Sequence, residues 1–188
     1  MGAVGQVFDA IDDGLREFLV AQPVFFVATA PRTGGHVNVS PKGYADTFAV
    51  VGPRTVAYLD LTGSGVETIA HLRDDGRVTL MFCSFEHRPR IVRLYGTGRV
   101  CVPGDEDWAD LSGRFGAHAG ARAVVVVELE RIADSCGYAV PRMDLVAERD
   151  VLERSHVKRG ADGLVAYRTQ RTVASIAGLP GLDAHHPG

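Results

Sequence analysis

Residues 55–83 read TVAYLDLTGSGVETIAHLRDDGRVTLMFC, and their reading decides the fold. Thr55–Leu61 is rich in β-branched and aromatic residues and has a mostly apolar face, which predicts a strand. Thr62-Gly63-Ser64-Gly65 then turns, because two glycines free the backbone from its usual steric limits. Ser64 followed by Glu67 has the S-x-x-E spacing of a capping box and predicts a helix start. Val66, Ile69, Ala70 and Leu72 give that helix one apolar face. Asp75-Gly76 stops it, and Val78, Leu80 and Phe82 alternate as a second strand. A hydroxyl-rich turn at a helix N-terminus offers free N–H groups and the positive end of a helix dipole, a combination suited to a phosphate.

Upstream, Asp13–Gln22 has the pattern of a helix ended by Pro23, Val24–Ala30 that of a strand, and Pro31–Gly35 that of a turn. His36–Pro41 alternates as a second strand, which Lys42-Gly43-Tyr44 leaves. Asp46–Arg54, with Pro53 inside it, reads as a loop. Downstream, Ser84–Pro89 is a polar connector. Arg90–Val102 is a long strand with a bulge or sharp bend at Gly96 and Gly98. Pro103–Phe115 reads as a helix with Trp108, Leu111 and Phe115 on one side, and Ala123–Ile132 as the most strongly β-patterned run. Asp134–Pro141 turns, and Leu145–His156 reads as a helix. The last thirty or so residues carry few periodic signals, and Pro187-Gly188 ends a tail read as mobile. Six short strands joined mostly by turns predict a mostly β protein, an antiparallel barrel with peripheral helices.

The 188 residues suffice for one domain, with a core over about 12–135 and an extension over 136–188. Twenty basic against 23 acidic residues leave a net charge of −3, which argues against a nucleic-acid protein. No run approaches the roughly 18 apolar residues that span a bilayer, and the N-terminus lacks the blocks of a signal peptide. Cys83, Cys101 and Cys136 show no C-x-x-C, so reduced thiols, a cytoplasmic setting and no zinc site are expected. His36, His71, His87, His118 and His156 lack metal-ligand spacing, and His185-His186 reads as inert.

Three polar clusters interrupt the apolar strands: Asn38, Ser40 and Lys42, spaced by two and so on one face; Asp60, Thr62, Ser64 and Thr68 around the glycine turn; and Arg90 with Arg93. The first two make a phosphate cradle of one lysine, several hydroxyls and helix-start amides. Each also has a structural reading: Ser64 as a cap, Lys42 as a solvated strand end, Asp60 as a partner for turn amides. Arg90 and Arg93 point to opposite faces of a regular strand, so at most one meets a given ligand.

HVNVSPKG (residues 36–43), the stretch 55–83 and RIVRLYGTGRV (residues 90–100) together resemble the pyridoxamine 5'-phosphate oxidase family, over roughly residues 12–135. The resemblance implies a six-stranded antiparallel FMN-binding split barrel, dimeric, with FMN at the subunit interface and a small-molecule substrate. It implies that Lys42 contacts the phosphate or ribityl chain and that Asn38, Val39 and Ser40 line the flavin. Leu61 and Thr62 precede the phosphate turn, Ser64 is its serine, and Arg90 lies near the position that meets the flavin from the next strand. Two features depart from the oxidases. Gly65 and Val66 replace basic residues after the turn serine, so the phosphate relies on Lys42, an arginine from elsewhere and helix-start amides. The C-terminal Arg-x-His substrate clamp is not found, so pyridoxamine phosphate itself is not implied. The activity implied is hydride transfer through flavin. The alternatives left open are a non-catalytic flavin or haem carrier and a deazaflavin-dependent reductase.

Overall fold

The computed structural model describes residues 5–182. Period-two patterning produces most of its strands, which are β1 (Val7–Phe8), β2 (Phe25–Thr29), β3 (Asn38–Lys42), β4 (Phe48–Gly52), β5 (Thr55–Leu61), β6 (Arg77–Cys83), β7 (Ile91–Cys101) and β8 (Ala121–Ser135). All pair antiparallel in one sheet ordered β3-β2-β6-β7-β8-β5-β4, with β1 added against β8. The sheet curls into an open barrel of the split-barrel type, and its strand count among the described residues is eight rather than six. The two additions are β1 and β4. Pro53 sits in the tight β4–β5 turn rather than inside a loop, and the apolar run Phe48–Val51 before it pairs with β5.

The helices are α1 (Asp13–Val20), α2 (Glu67–Asp74), α3 (Trp108–Ser112) and α4 (Val151–Arg171). Leu15 and Leu19 of α1 are buried in the barrel core with Val27, Tyr58, Leu80, Phe82 and Leu94. Each such side chain contributes about 1.5–3 kcal/mol by leaving water. A second core, Ala57, Leu59, Val124 and Val126, lies on the opposite face of β5 and β8 beneath Leu111, with Trp108 against it. These two strands are therefore buried on both sides, which explains the unbroken Val124–Val127 run. Val66 and Ile69 pack α2 onto Val102, Ala123 and Leu182.

Three helical expectations change. The segment 103–115 supplies only the short α3, the rest being turns. The helix expected over 145–156 begins at Val151 and runs through the stretch with few periodic signals. Gly160, at φ 66°, breaks it into two pieces, and only His156 and Leu164 are buried, so no long apolar stripe marks it. Ser64 does not cap α2: the N-cap is Val66, with no side-chain cap bond. The irregularity foreseen at Gly96 is present. The β7–β8 register slips between Tyr95 and Gly96, with Glu130 as the extra residue on β8. No helix among the described residues is long and apolar enough to cross a membrane. His185-His186 and Pro187-Gly188 lie outside the described residues.

Candidate functional site

Two strands and a bulge build the charged centre. Asp60 follows Val56 and Tyr58 on the inner face of β5, at its last inward position, and is buried. Lys42 ends β3, and its Nζ donates to Asp60 Oδ1 at 2.7 Å. Arg122 donates from Nε to Asp60 Oδ2 at 2.6 Å and from Nη2 to the Gly65 carbonyl at 2.8 Å. Asp60 pairs with Ala123 and Leu61 with Ala121, so Arg122 is the extra residue of a β8 bulge. A bulge re-aims a side chain, and here it aligns the guanidinium with Asp60. Burial pushes the Asp60 carboxyl up, but the charges of Arg122 and Lys42 and their hydrogen bonds outweigh it and bring it down to about 2. Burial, then the Asp60 charge, holds the neighbouring Tyr58 phenol well above its ordinary range.

Arg122 is buried, and its Nη1 has no hydrogen-bond partner. Burial and then the charge of Arg122 lower the Arg168 guanidinium of α4, so the two cations lie close to each other. Sequence reasoning missed Arg122. The signal was present: a charged residue at the head of a buried valine run is tolerated only when paired.

The remaining predicted residues divide. Asn38 Nδ2 donates to Ser40 Oγ at 3.0 Å and to Thr68 Oγ1 at 3.2 Å, which ties β3 to α2. Val39, between them, points outward and is exposed. Leu61 packs against the outer core and lines the cleft described below. Thr62 is buried on the far side of the turn, where its amide and hydroxyl both donate to the Gly120 carbonyl and its own carbonyl accepts from His156 Nε2 at 2.8 Å. Ser64 is exposed, and Glu67 folds back over the turn, such that a Cβ at Gly65 would meet its Oε2 at 2.5 Å. Arg90 is not part of this group: it pairs with Asp134 at 3.0 Å and lies over Phe8 and Phe18.

Beside Lys42 lies a cleft of about 500 Å³, within the range of small-molecule sites. Leu59, Leu61, Pro23 and Val24 form its barrel wall, and Leu145, Glu148, Arg149 and Leu152 close it from the C-terminal segment. That segment is pinned by polar contacts. Tyr44 Oη donates to the Arg149 carbonyl at 2.8 Å, and the Ala45 amide to Glu148 Oε1 at 3.1 Å. His118 bridges Asp46 at 3.1 Å and Glu153 at 3.3 Å while stacking on the Tyr44 ring.

An open antiparallel barrel with a buried cation–carboxylate–cation centre at its rim, beside a ligand-sized cleft, places the protein among the split barrels. The profile of the family named pyridoxamine 5'-phosphate oxidase matches residues 11–149. The Pyridoxamine 5'-phosphate oxidase family protein ustO of Aspergillus flavus is 42% identical over 193 residues, covering 94% of this chain and 78% of that one. The chain therefore belongs to the pyridoxamine 5'-phosphate oxidase family. Among solved structures, HupZ of Group A Streptococcus is similar at 25% identity and a TM-score of 0.51, over 65% of this chain and 91% of that one. A Lactobacillus delbrueckii protein with a provisional assignment to the same oxidase shares the fold at 19% identity and a TM-score of 0.53, over 69% and 98% of the two chains.

Proposed function

We propose that the protein is an FMN-binding oxidoreductase that works as a homodimer on a small molecule. Family membership supports the flavin, and the observation that carries the residue-level reading is the unpartnered, buried Nη1 of Arg122. A buried guanidinium nitrogen without an acceptor carries an unrecovered desolvation cost, which an anionic ligand relieves. Lys42 and Arg122 together exceed the single charge of Asp60, Arg168 adds a third cation nearby, and α2 begins without a side-chain cap. A phosphate monoester fits this donor set. Arg122 is the arginine from elsewhere that the sequence required, and Ser64 and the amides of the turn complete the cradle.

Bound FMN would supply hydride transfer to or from the substrate. The chain's own residues position and screen it. Asp60 holds Lys42 and Arg122 in place, and Asn38, Ser40 and Thr68 fix β3 against α2. The segment 145–152 limits access of water to the cleft beside Lys42. Exposed Val39 on the edge strand β3 and Val37 just before it supply an apolar edge for a second copy.

The purified protein is expected to carry a flavin spectrum and to release FMN on extraction. A Soret band in place of flavin bands overturns the cofactor. In fluorescence titrations the Lys42→Ala/Ser64→Ala double variant should bind FMN at least about tenfold more weakly, since a charge-assisted bond contributes about 1.5–3 kcal/mol. Unchanged FMN affinity overturns the cradle, and a fully loaded monomer by light scattering overturns the interfacial site. Oxidation of an added nicotinamide or deazaflavin donor separates the enzyme from a carrier.

A further inference from the structure

The cleft beside Lys42 has walls from two unrelated parts of the chain, and its chemistry is uneven. Leu59 and Leu61 face Leu145 and Leu152 across an apolar interior. The charged residues among its lining are Lys42, Glu148 and Arg149, one net positive charge. Lys42 is already engaged with Asp60, and the Glu148 carboxylate accepts from the Ala45 amide. Arg149 differs from both. Its carbonyl is fixed by the Tyr44 hydroxyl, while its guanidinium has no ion pair or hydrogen bond among the described residues. Tyr44 itself adopts φ 67°, a left-handed conformation that costs a non-glycine residue roughly 1–2 kcal/mol. Such strain persists where surrounding contacts enforce it and clusters at ligand sites.

We propose that this cleft binds an organic monoanion, a carboxylate on an apolar body of one ring or one branched chain, and that Arg149 selects it. A guanidinium presents two parallel donors that match a carboxylate. Buried Leu59 and half-buried Leu61 give the apolar body a wall on the barrel side, exposed Leu145 and Leu152 offer apolar surface on the other, and the cleft volume admits a ligand of that size. A phosphate dianion is disfavoured, because the lining offers one net positive charge and Glu148 lies on the same wall as Arg149. This substrate class rests on the flavin reading for its reaction but on the cleft alone for its binding.

The test is calorimetric titration of the full chain, with and without FMN, using 3-phenylpropionate, 3-phenylpropionamide and phenyl phosphate. The acid is expected to bind at least about tenfold more tightly than the amide, the ratio a lost charge-assisted bond implies. Arg149→Ala should remove that advantage and leave the amide unaffected, and Arg149→Lys should restore part of it. Arg149 is exposed, so the variants fold, and matching thermal unfolding curves verify this. Equal affinity for acid and amide, an unchanged Arg149→Ala variant, Arg149-dependent binding of phenyl phosphate by the FMN-loaded chain that is tighter than that of the acid, or no binding of any of the three overturns the proposal. Acid binding in a protein that takes up no FMN retires the flavin reading and leaves the cleft assignment standing; FMN uptake without acid binding does the reverse.

Discussion

Replacing Asp60 with Asn removes one charge and leaves two cations facing each other in a buried centre. Asp60 titrates at about 2 against an ordinary 3.8. A folded-state value below the unfolded one stabilises the fold above the unfolded value, and the gain is lost as pH falls through the folded value. The window therefore runs from about pH 4 down to about pH 2, and the drop corresponds to roughly 2–3 kcal/mol. Asp60→Asn also leaves Lys42 and Arg122 without their counter-ion at every pH above that window. Breaking a buried pair in this way costs about 3–5 kcal/mol. Urea unfolding followed by the fluorescence of Trp108, the single tryptophan, measures this at pH 7, 4 and 2.5. The wild type should lose stability between pH 4 and 2.5 by more than the variant does, so the two converge toward acid. Adding Lys42→Met to the Asn variant should recover part of the loss, because it removes an uncompensated cation. A pH 7 difference under about 1 kcal/mol, or one that is the same at pH 2.5, refutes the view that this carboxylate organises the centre.

Gly96→Ala should be severely destabilising, by about 3 kcal/mol or more in urea unfolding, because a Cβ there would overlap the Glu128 carbonyl oxygen and neither backbone can yield without losing the β7–β8 ladder. Burial and then the hydrogen bond to Asp107 push the Cys101 thiol up to about 12, and burial raises Cys83, so a disulfide reagent at pH 8 should titrate the half-exposed Cys136 quickly and the other two only on unfolding. Rapid reaction of all three in the native protein contradicts this. Glu153→Gln combined with Tyr44→Phe removes two attachments of the C-terminal segment, and limited proteolysis should then cut within residues 141–150 several times faster than in the wild type, with the barrel left intact.

The readable parts of the chain were those where one face of an element alone decides its burial. Val78, Leu80 and Phe82 alternate because β6 has one face in the barrel core. β4 was obscured because all five of its residues are half-buried at the open edge of the sheet, with no alternation to see, and because Pro53 next to it reads as a breaker when it is a hairpin turn residue. The helix α4 was obscured for the opposite reason. It is held to the barrel by His156, Glu153 and Leu164 rather than by an apolar stripe, so no 3.6-residue period records it.

The same distinction explains the site. Lys42 and Asp60 were visible as polar residues within apolar strands, but pattern alone placed both in a phosphate cradle, with a solvated strand end and a partner for turn amides as their structural alternatives, and did not pair them with each other. Their pairing depends on β3 and β5 bringing their ends together at the rim of the barrel, and the third member depends on a bulge. With regular pairing Arg122 would alternate with Ala123 and project away from the face that carries Asp60. One extra residue in β8 reverses that, and it follows from a register no local pattern encodes. The consequence is directional: the second cation of this centre is supplied by the start of the longest strand, not by the residues that follow the turn serine. Substitutions that make Gly65 or Val66 basic would therefore not reproduce the existing site. Glu67 already lies over Gly65, and Val66 is buried against Ile69 and Leu182, so an added charge there would meet a carboxylate or a hydrophobic core before it reached the Asp60 centre or the phosphate proposed beside it.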